Sequence, residues 1–193
     1  MNLILASESI YRKELLERLN LSFSTAPANI DEESIWKKNL SPKEVSIELS
    51  KMKAKKVFEN NTEAIVIGSD QVIALGNEIF GKPKTEEKAV AQLRQLQGKT
   101  HQLITSVCLL SKDKEIIFTN ETLLKIRSDL TEQDLKKYVQ FDQPLYCAGS
   151  YKIEGMGIAL FEKVETTDFT SIIGLPLMEL AKTLKEFGVE VFA

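Results

Sequence analysis

The sequence contains few of the residues that build disulfide frameworks or soft-metal sites. It has two cysteines, Cys108 and Cys147, and one histidine, His101, among 193 residues. Two cysteines are too few for a disulfide framework or a cysteine zinc site, and one histidine excludes histidine-based metal clusters. A nucleophilic pair of Cys147 and His101 is conceivable. No pattern places these two residues together, however, so we interpret His101 as a structural side chain.

Long apolar runs and an excess of basic charge are also missing. No run approaches the roughly 20 apolar residues of a membrane span, and the apolar start at 1–6 has no basic flank, which predicts no signal peptide. The net charge of −3 gives no support for an extended nucleic-acid surface. With 43% hydrophobic and 27% charged residues, the composition is typical of a globular chain that can bury a sizeable core. We therefore predict a soluble, reduced, cytoplasmic protein.

Two common nucleotide-binding fingerprints are absent. Gly81-Lys82-Pro83 does not have the G-x-x-x-x-G-K-[ST] spacing of a Walker loop. Gly155-Met156-Gly157 lacks the third glycine of a dinucleotide fingerprint and does not lead from a strand into a helix. Neither P-loop chemistry nor a nicotinamide cofactor is predicted.

Apolar periodicity and turn residues predict an α/β fold. The β-branched run Ala64–Ile67 is typical of a buried central strand, and Ser41-Pro42-Lys43-Glu44 is a capping box with proline at the first helical position. Since hairpin and crossover connections both occur and no Gly-, Ser- or Pro-rich linker is present, we predict one domain over 1–193 with a mixed sheet. The predicted strands are 3–6, 64–67, 72–75, 78–80, 102–110, 115–127, 158–162 and 189–192. The predicted helices include one with its apolar face on 11–19, three that follow caps at Ser41, Thr85 and Thr131, and a last one over 176–187.

Asp70 is the first candidate for chemistry. It follows the predicted strand Ala64–Ile67 directly, and ligands of α/β proteins gather at the carboxyl ends of strands. A carboxylate there can act as a general base or bind a divalent metal. It can equally form a turn, and spacing alone leaves both interpretations open.

Four other segments carry candidate groups. Arg12 lies near a predicted helix N-terminus, where backbone N–H groups and a guanidinium attract phosphate, and Lys82 stands between Gly81 and Pro83. Glu32 is a carboxylate outside any predicted element. Lys152 and Glu154 are two apart and would share one face of a strand. Each of these side chains can also be an ordinary solvated charge.

Several short motifs follow one another along the chain. They are Leu5-Ala6-Ser7-Glu8-Ser9 with Arg12 and Glu14-Leu15-Leu16, then Asp31-Glu32, Lys53-Ala54 and Gly68-Ser69-Asp70-Gln71, and then Gly81-Lys82-Pro83, Cys147-Ala148-Gly149-Ser150 and Gly174-Leu175-Pro176-Leu177. Taken in this order, they resemble the Maf family of nucleotide pyrophosphatases over nearly the whole chain. One departure is Ile10, where family members usually have proline.

The resemblance implies a mixed twisted sheet with flanking helices, similar to inosine triphosphatases, in two closely packed lobes around a cleft. It implies cleavage of a nucleoside triphosphate to a monophosphate and pyrophosphate, with Mg²⁺ or Mn²⁺ as cofactor and a homodimer as the assembly. Asp70 would be the proton acceptor, and Glu32 and Asp70 would bind the metal. The implied phosphate-binding residues are Ser7, Arg12, Lys53 and Lys82, and the implied base-specificity residues are Tyr11, Gln71 and Glu154.

The segment 147–155 also implies a subgroup. Members that cleave dTTP and UTP typically have glutamine before the last glycine of this segment. This chain has Glu154 at that position, which makes the segment similar to that of members that hydrolyse 7-methyl-GTP. A carboxylate accepts hydrogen bonds from guanine N1–H and its amino group, and an aromatic face such as Tyr11 attracts a cationic methylated purine by roughly 0.5–2 kcal/mol. Cleavage of dTTP or UTP is the alternative within the family. A non-catalytic nucleotide-binding regulator of septum formation is the alternative of another class.

Overall fold

The computed structural model describes residues 2–36 and 38–192. Its strands form one mixed sheet in the order β2-β1-β3-β5-β6-β7, with β4 paired to β3. β1 is parallel to β2 and β3, whereas β3–β4 and β6–β7 are antiparallel. The predicted mixed sheet is therefore confirmed. The strands are β1 (Asn2–Leu5), β2 (Ser24–Thr25), β3 (Ala64–Leu75), β4 (Glu78–Phe80), β5 (Thr100–Leu110), β6 (Glu115–Ile126) and β7 (Phe161–Glu165).

Local capping signals correctly predict where three helices begin. Ser41 and Thr131 each complete a capping box, with Glu44 and Asp134 respectively, and Thr85 accepts a hydrogen bond from the Lys88 backbone. Within the described residues, no helix combines the length and apolarity that crossing a bilayer requires. The helices are α1 (Ile10–Glu17), α2 (Glu33–Trp36), α3 (Pro42–Phe58), α4 (Glu86–Leu96), α5 (Glu132–Asp142) and α6 (Leu177–Lys185), with short 3₁₀ helices at Ala148–Ser150, Met156–Leu160 and Phe169–Ile172.

The chain divides into two compact units. Unit 1 comprises Met1–Gln71, Thr105–Asn120 and Asp168–Ala193, and unit 2 comprises Val72–Ile104 and Glu121–Thr167. In unit 1, alternate strand residues pack on opposite faces of the sheet. Leu5 and Ile67 belong to a core with residues of α1 and α6. Ala6 and Val66 belong to a second core with residues of α3. Strands buried on both faces explain the continuous apolar run at 64–67.

The same alternation continues into the polar half of β3. Because successive side chains of a strand point to opposite faces, residues 68 and 70 face α3, as Val66 does. Residues 69 and 71 face the other side, as Ile67 does. Asp70 therefore lies inside β3, and the prediction that it follows the end of a strand is wrong. The hydrogen-bonded pairing of β3 with the parallel strand β1 does end at Ile67. Asp70 therefore lies past the carboxyl end of β1, although β3 itself continues to Leu75.

Three further sequence predictions are wrong. The predicted strand 158–162 begins too early, because Met156–Leu160 is a 3₁₀ helix and strand β7 starts at Phe161. Gly157 explains the difference, because its backbone approaches so closely that a Cβ there would lie 2.2 Å from the Lys152 carbonyl oxygen. Residues 153–155 form a turn, so Lys152 and Glu154 do not share a strand face. Residues 189–192 form no strand.

In unit 2, His101 is enclosed by aromatic side chains, and its structural role stays a prediction. It is buried in β5, its Nε2 lies 3.1 Å from the Tyr151 hydroxyl oxygen, and its ring contacts those of Tyr151 and Phe161. Burial lowers the pKa of His101 to about 4. The folded state therefore keeps this imidazole neutral where the unfolded chain protonates it.

We expect this difference to make stability depend on pH. The pKa of His101 is 6.5 in the unfolded chain and about 4 in the folded state, so between these pH values only the unfolded chain is protonated at this residue. The stabilisation that follows from the neutral folded imidazole is complete above pH 6.5 and is lost as the pH falls toward 4. The loss amounts to about 3 kcal/mol of unfolding free energy by pH 4. Urea unfolding of wild type and of His101→Gln at several pH values isolates the part of this loss that comes from His101, because the carboxylates titrate alike in the two proteins. Parallel curves over pH 4–6.5 contradict the prediction.

Candidate active site

Asp70, Lys53 and Glu32 form an ionic cluster in unit 1. The Lys53 ammonium on α3 donates to Asp70 Oδ1 at 2.5 Å and lies 2.8 Å from Glu32 Oε1. Asp70 is buried, and Glu32 is partly exposed in the turn before α2. One ammonium therefore holds two carboxylates that are 38 residues apart in the chain.

The packing of α3 against β3 places Lys53 beside Asp70. Ser46, Ser50 and Ala54 recur at four-residue spacing along α3 and are fully buried. The Ser46 hydroxyl donates to the Asp70 backbone carbonyl at 3.3 Å. At Gly68, an added Cβ would lie 2.3 Å from the Ser50 carbonyl oxygen. Small residues on both elements thus bring the helix close to the strand.

Burial and charge act in opposite directions on Asp70. Burial is the largest influence and raises the pKa of Asp70, and the Glu32 carboxylate raises it further, whereas Lys53 and Arg12 lower it. Burial also lowers the pKa of Arg12, against the attraction of Asp70 and Glu32. The result is a carboxyl group with a raised pKa beside two cations, a combination suited to accepting a proton.

Arg12 is held on α1 by contacts to two loops. Its Nε donates to the Gly174 carbonyl at 3.0 Å, and its Nη1 lies 3.5 Å from Ser7 Oγ. Ser7 Oγ also accepts from the Ser9 backbone N–H at 3.2 Å, and Ser9 caps α1. Ile10 occupies the first helical position, where proline is also favoured. The helix therefore begins at this point without the proline usual in the resembled family.

Gln71 is bonded within unit 1. Its Nε2 donates to Thr105 Oγ1 and to the carbonyls of Ser171 and Ile172 at 2.9–3.1 Å. Ser171 and Ile172 belong to the 3₁₀ helix Phe169–Ile172, which Asp168 caps. The Asp168 carboxylate accepts hydrogen bonds from the backbone N–H groups of Thr170 and Met178. The Gln71 amide nitrogen therefore donates its hydrogen bonds to other residues of unit 1.

Unit 2 gathers the remaining candidates around Cys147. Burial is the largest influence on the Cys147 thiol and raises its pKa. Lys152 and Lys82 lower this pKa and Glu154 raises it, so all three charged groups lie within electrostatic range of the thiol. Lys82 and Glu154 are exposed. Gln92 on α4 links their two segments, because its Nε2 donates to the Gly81 carbonyl at 3.0 Å and its Oε1 accepts from Ser150 Oγ at 2.5 Å.

Comparison with protein-family models gives a match to the family described as Maf-like protein over residues 2–187. The chain belongs to the Maf family. Its relatives include proteins named 7-methyl-GTP pyrophosphatase. The one from Bdellovibrio bacteriovorus is 45% identical and covers 95% of each chain. The one from Colwellia psychrerythraea is 40% identical and covers 99% of this chain and 95% of the relative. Among solved structures, a HAM1 protein from Coxiella burnetii matches with a TM-score of 0.47 and 16% identity over 96% of this chain and 99% of that one.

The structure of this Maf-family chain brings together some of the predicted site residues. In unit 1, Glu32, Lys53 and Asp70 are in contact, Arg12 contacts Ser7, and half-buried Tyr11 precedes Arg12 on α1. In unit 2, Lys82 and Glu154 lie near Cys147. The functional roles of all these residues stay predictions.

Sequence reasoning assigns no role to three residues that hold these groups in place, although Ser69 and Gly174 lie in motifs that carry the family resemblance. Ser69 and Gly174 meet in unit 1, where Ser69 Oγ donates to the Gly174 carbonyl at 3.0 Å, and Gln92 joins two segments of unit 2. The spacing of Ser69 and Gln71, two apart in a strand, is a signal that both face the same neighbour. Nothing local marks Gln92, whose partners are distant in sequence.

Proposed function

We propose that this chain hydrolyses 7-methyl-GTP to 7-methyl-GMP and pyrophosphate. The ionic cluster of Asp70, Lys53 and Glu32 is the observation that carries the reaction class, because it joins a buried carboxyl group of raised pKa to a fixed cation. The names of relatives that are 40–45% identical over nearly the whole chain support the substrate.

Asp70 is the proposed proton acceptor for the attacking water. Its position inside β3, with its backbone carbonyl bonded to Ser46 and its side chain to Lys53, holds the carboxylate in one orientation. The cations Lys53 and Arg12 favour the ionised form that burial disfavours. Water would attack the α-phosphate and release pyrophosphate, and nearby positive charge would stabilise the transition state.

The same cluster fits a divalent metal. Asp70 and Glu32 supply two hard carboxylate oxygens, each within 2.8 Å of the Lys53 ammonium, and Mg²⁺ is commonly held by one or two carboxylates together with substrate phosphates. No group of three or more metal-ligating side chains occurs in residues 2–36 and 38–192, which agrees with a site completed by substrate. Bound Mg²⁺ or Mn²⁺ would offset negative charge on the phosphates.

The proposed phosphate-binding residues are Ser7, Arg12, Lys53 and Lys82. Arg12 can contact phosphate through its terminal nitrogens, since its Nε is engaged with Gly174. Lys53 contacts both carboxylates, so we expect it to control the charge of Asp70 as well as to attract phosphate. Lys82 is exposed in unit 2 and would add a further cation.

Base recognition is proposed for Glu154, Tyr11 and Gln71. Glu154 can accept two hydrogen bonds from the Watson–Crick edge of guanine, and Tyr11 offers an aromatic face to the cationic methylated ring. Gln71 would act through the backbone at 171–172, to which its amide nitrogen is bonded. Cytoplasmic localisation and a homodimer stay predictions.

We expect a panel of triphosphates, assayed by pyrophosphate release, to show preference for 7-methyl-GTP. Glu154→Gln should lower kcat/KM for 7-methyl-GTP by about 10-fold or more, because a bidentate contact to the guanine edge loses an acceptor (each such contact discriminates by about 1–3 kcal/mol). Turnover of dTTP and UTP should fall less.

Glu78→Gln, which changes another exposed carboxylate of unit 2, is the matched control and should leave the preference unchanged. Strong turnover of dTTP or UTP by wild type, with negligible turnover of 7-methyl-GTP, would favour the alternative substrate. Nucleotide binding without any pyrophosphate release would favour the non-catalytic regulator.

A further inference from the structure

The Gly174 carbonyl oxygen accepts two hydrogen bonds, one from β3, which carries the proposed base Asp70, and one from α1. One donor is Ser69 Oγ on β3 and the other is Arg12 Nε on α1, each at 3.0 Å. Ser69 is fully buried and directly precedes Asp70. A single backbone carbonyl thus joins the residue next to Asp70 to a proposed phosphate-binding residue.

The alternation of β3 gives Ser69 and Asp70 different partners. Asp70 faces α3 and contacts Lys53, whereas Ser69 faces the side of the sheet where Gly174 lies. The Arg12 guanidinium is held on the Gly174 side by its Nε, which donates to the Gly174 carbonyl at 3.0 Å, and its Nη1 lies 3.5 Å from Ser7 Oγ. The Gly174 carbonyl is the hydrogen-bond acceptor that orients this Nε.

Gly174 is suited to this contact by its backbone. Its φ of +125° is open to glycine and strained for other residues. A Cβ at this position would lie 3.3 Å from Arg12 Nε. Glycine therefore lets the carbonyl turn toward both donors while the guanidinium packs against the bare Cα.

We propose that Ser69 is a positioning residue that orients the Arg12 guanidinium through the Gly174 carbonyl. Arginine has five N–H donors, and fixing Nε sets the plane in which the terminal nitrogens meet a phosphate. The inference rests on the proposed function, which assigns phosphate to Arg12. It assigns Ser69 to orientation alone, with no contact to substrate.

A double-mutant cycle tests the coupling between these two residues. Ser69→Ala should lower kcat/KM for the triphosphate about three- to tenfold, the effect of one neutral hydrogen bond. Arg12→Lys keeps the charge and removes Nε. In that background Ser69→Ala should have no further effect, because the group it orients is gone. Equal losses in both backgrounds would overturn the proposal. Thr183→Val, which removes another buried hydroxyl that donates to a backbone carbonyl in unit 1, is the control expected to leave kcat/KM unchanged.

A second readout does not depend on activity. The chain has four arginines, so the Arg12 Nε–H signal can be assigned in ¹⁵N-edited spectra by its loss in Arg12→Lys. We expect Ser69→Ala to shift this signal and speed its exchange with water, and Thr183→Val to do neither. An unchanged signal contradicts the proposal. If wild type releases no pyrophosphate, the proposed function fails, and the spectra alone decide whether Ser69 orients Arg12.

Discussion

Replacement of Asp70 by asparagine is expected to lower kcat for triphosphate hydrolysis by about 10² to 10⁴-fold, the range of general acid–base catalysis. Asparagine keeps the size of the side chain and an oxygen for the Lys53 ammonium, but it cannot take a proton from water. Single-turnover measurement of pyrophosphate release separates this loss from weaker binding, since the variant should still bind nucleotide.

Asp113→Asn is the matched control, because it makes the same chemical change at an exposed position of unit 1, and it should leave kcat unchanged. If Asp70→Asn retains activity within about twofold of wild type, Asp70 is not the base. In wild type, burial raises the pKa of Asp70. Activity should therefore be lost, as pH falls, at a higher pH than an ordinary aspartate gives.

The same raised pKa has an opposite consequence for stability. A carboxyl group with a higher pKa in the folded than in the unfolded state binds its proton more tightly when folded. Its stabilising contribution is complete below the unfolded pKa and is lost as pH rises through the folded pKa. Activity and stability thus respond to Asp70 in opposite directions, which is a common property of functional sites.

Local chemistry made much of the fold predictable. The caps at Ser41, Thr85 and Thr131 depend on hydrogen bonds within four residues, so the sequence alone indicates them. The predicted strands 72–75 and 78–80 do pair as a hairpin, with Leu75 opposite Glu78 and a positive φ at Gly76 in the turn. These features need no knowledge of distant contacts.

The arrangement of the candidate site depends on distant contacts and was less predictable. Asp70 and Lys53 were both identified as candidates, but their contact requires a particular register of α3 on β3. Small residues set this register, with Ser50 opposite Gly68, and they carry no signal in an apolar pattern. The start of the predicted strand 158–162 is wrong for a similar reason, because the distant Asp142 carboxylate accepts a hydrogen bond from the Gly157 N–H at 3.1 Å.

Replacement of Gly68 by alanine is expected to lower the free energy of unfolding by about 3 kcal/mol or more. The added Cβ would lie 2.3 Å from the Ser50 carbonyl oxygen and 2.6 Å from the Ala54 backbone nitrogen. Since both are main-chain atoms of α3, no side-chain rotation relieves the overlap. The helix must move away from β3 by about 1 Å to restore ordinary van der Waals contact.

The same movement should displace Lys53, which precedes Ala54, from Asp70, so kcat/KM should fall together with stability. Urea unfolding and pyrophosphate release measure the two effects on one sample. Gly81→Ala is the matched control, because a Cβ there meets no atom within 4 Å, and we expect its stability to lie within about 0.5 kcal/mol of wild type. Ser50→Gly should not rescue Gly68→Ala, since the contact is with the carbonyl oxygen that glycine retains. Wild-type stability in Gly68→Ala would mean that α3 does not approach β3 as closely as the proposed pairing of Lys53 with Asp70 requires.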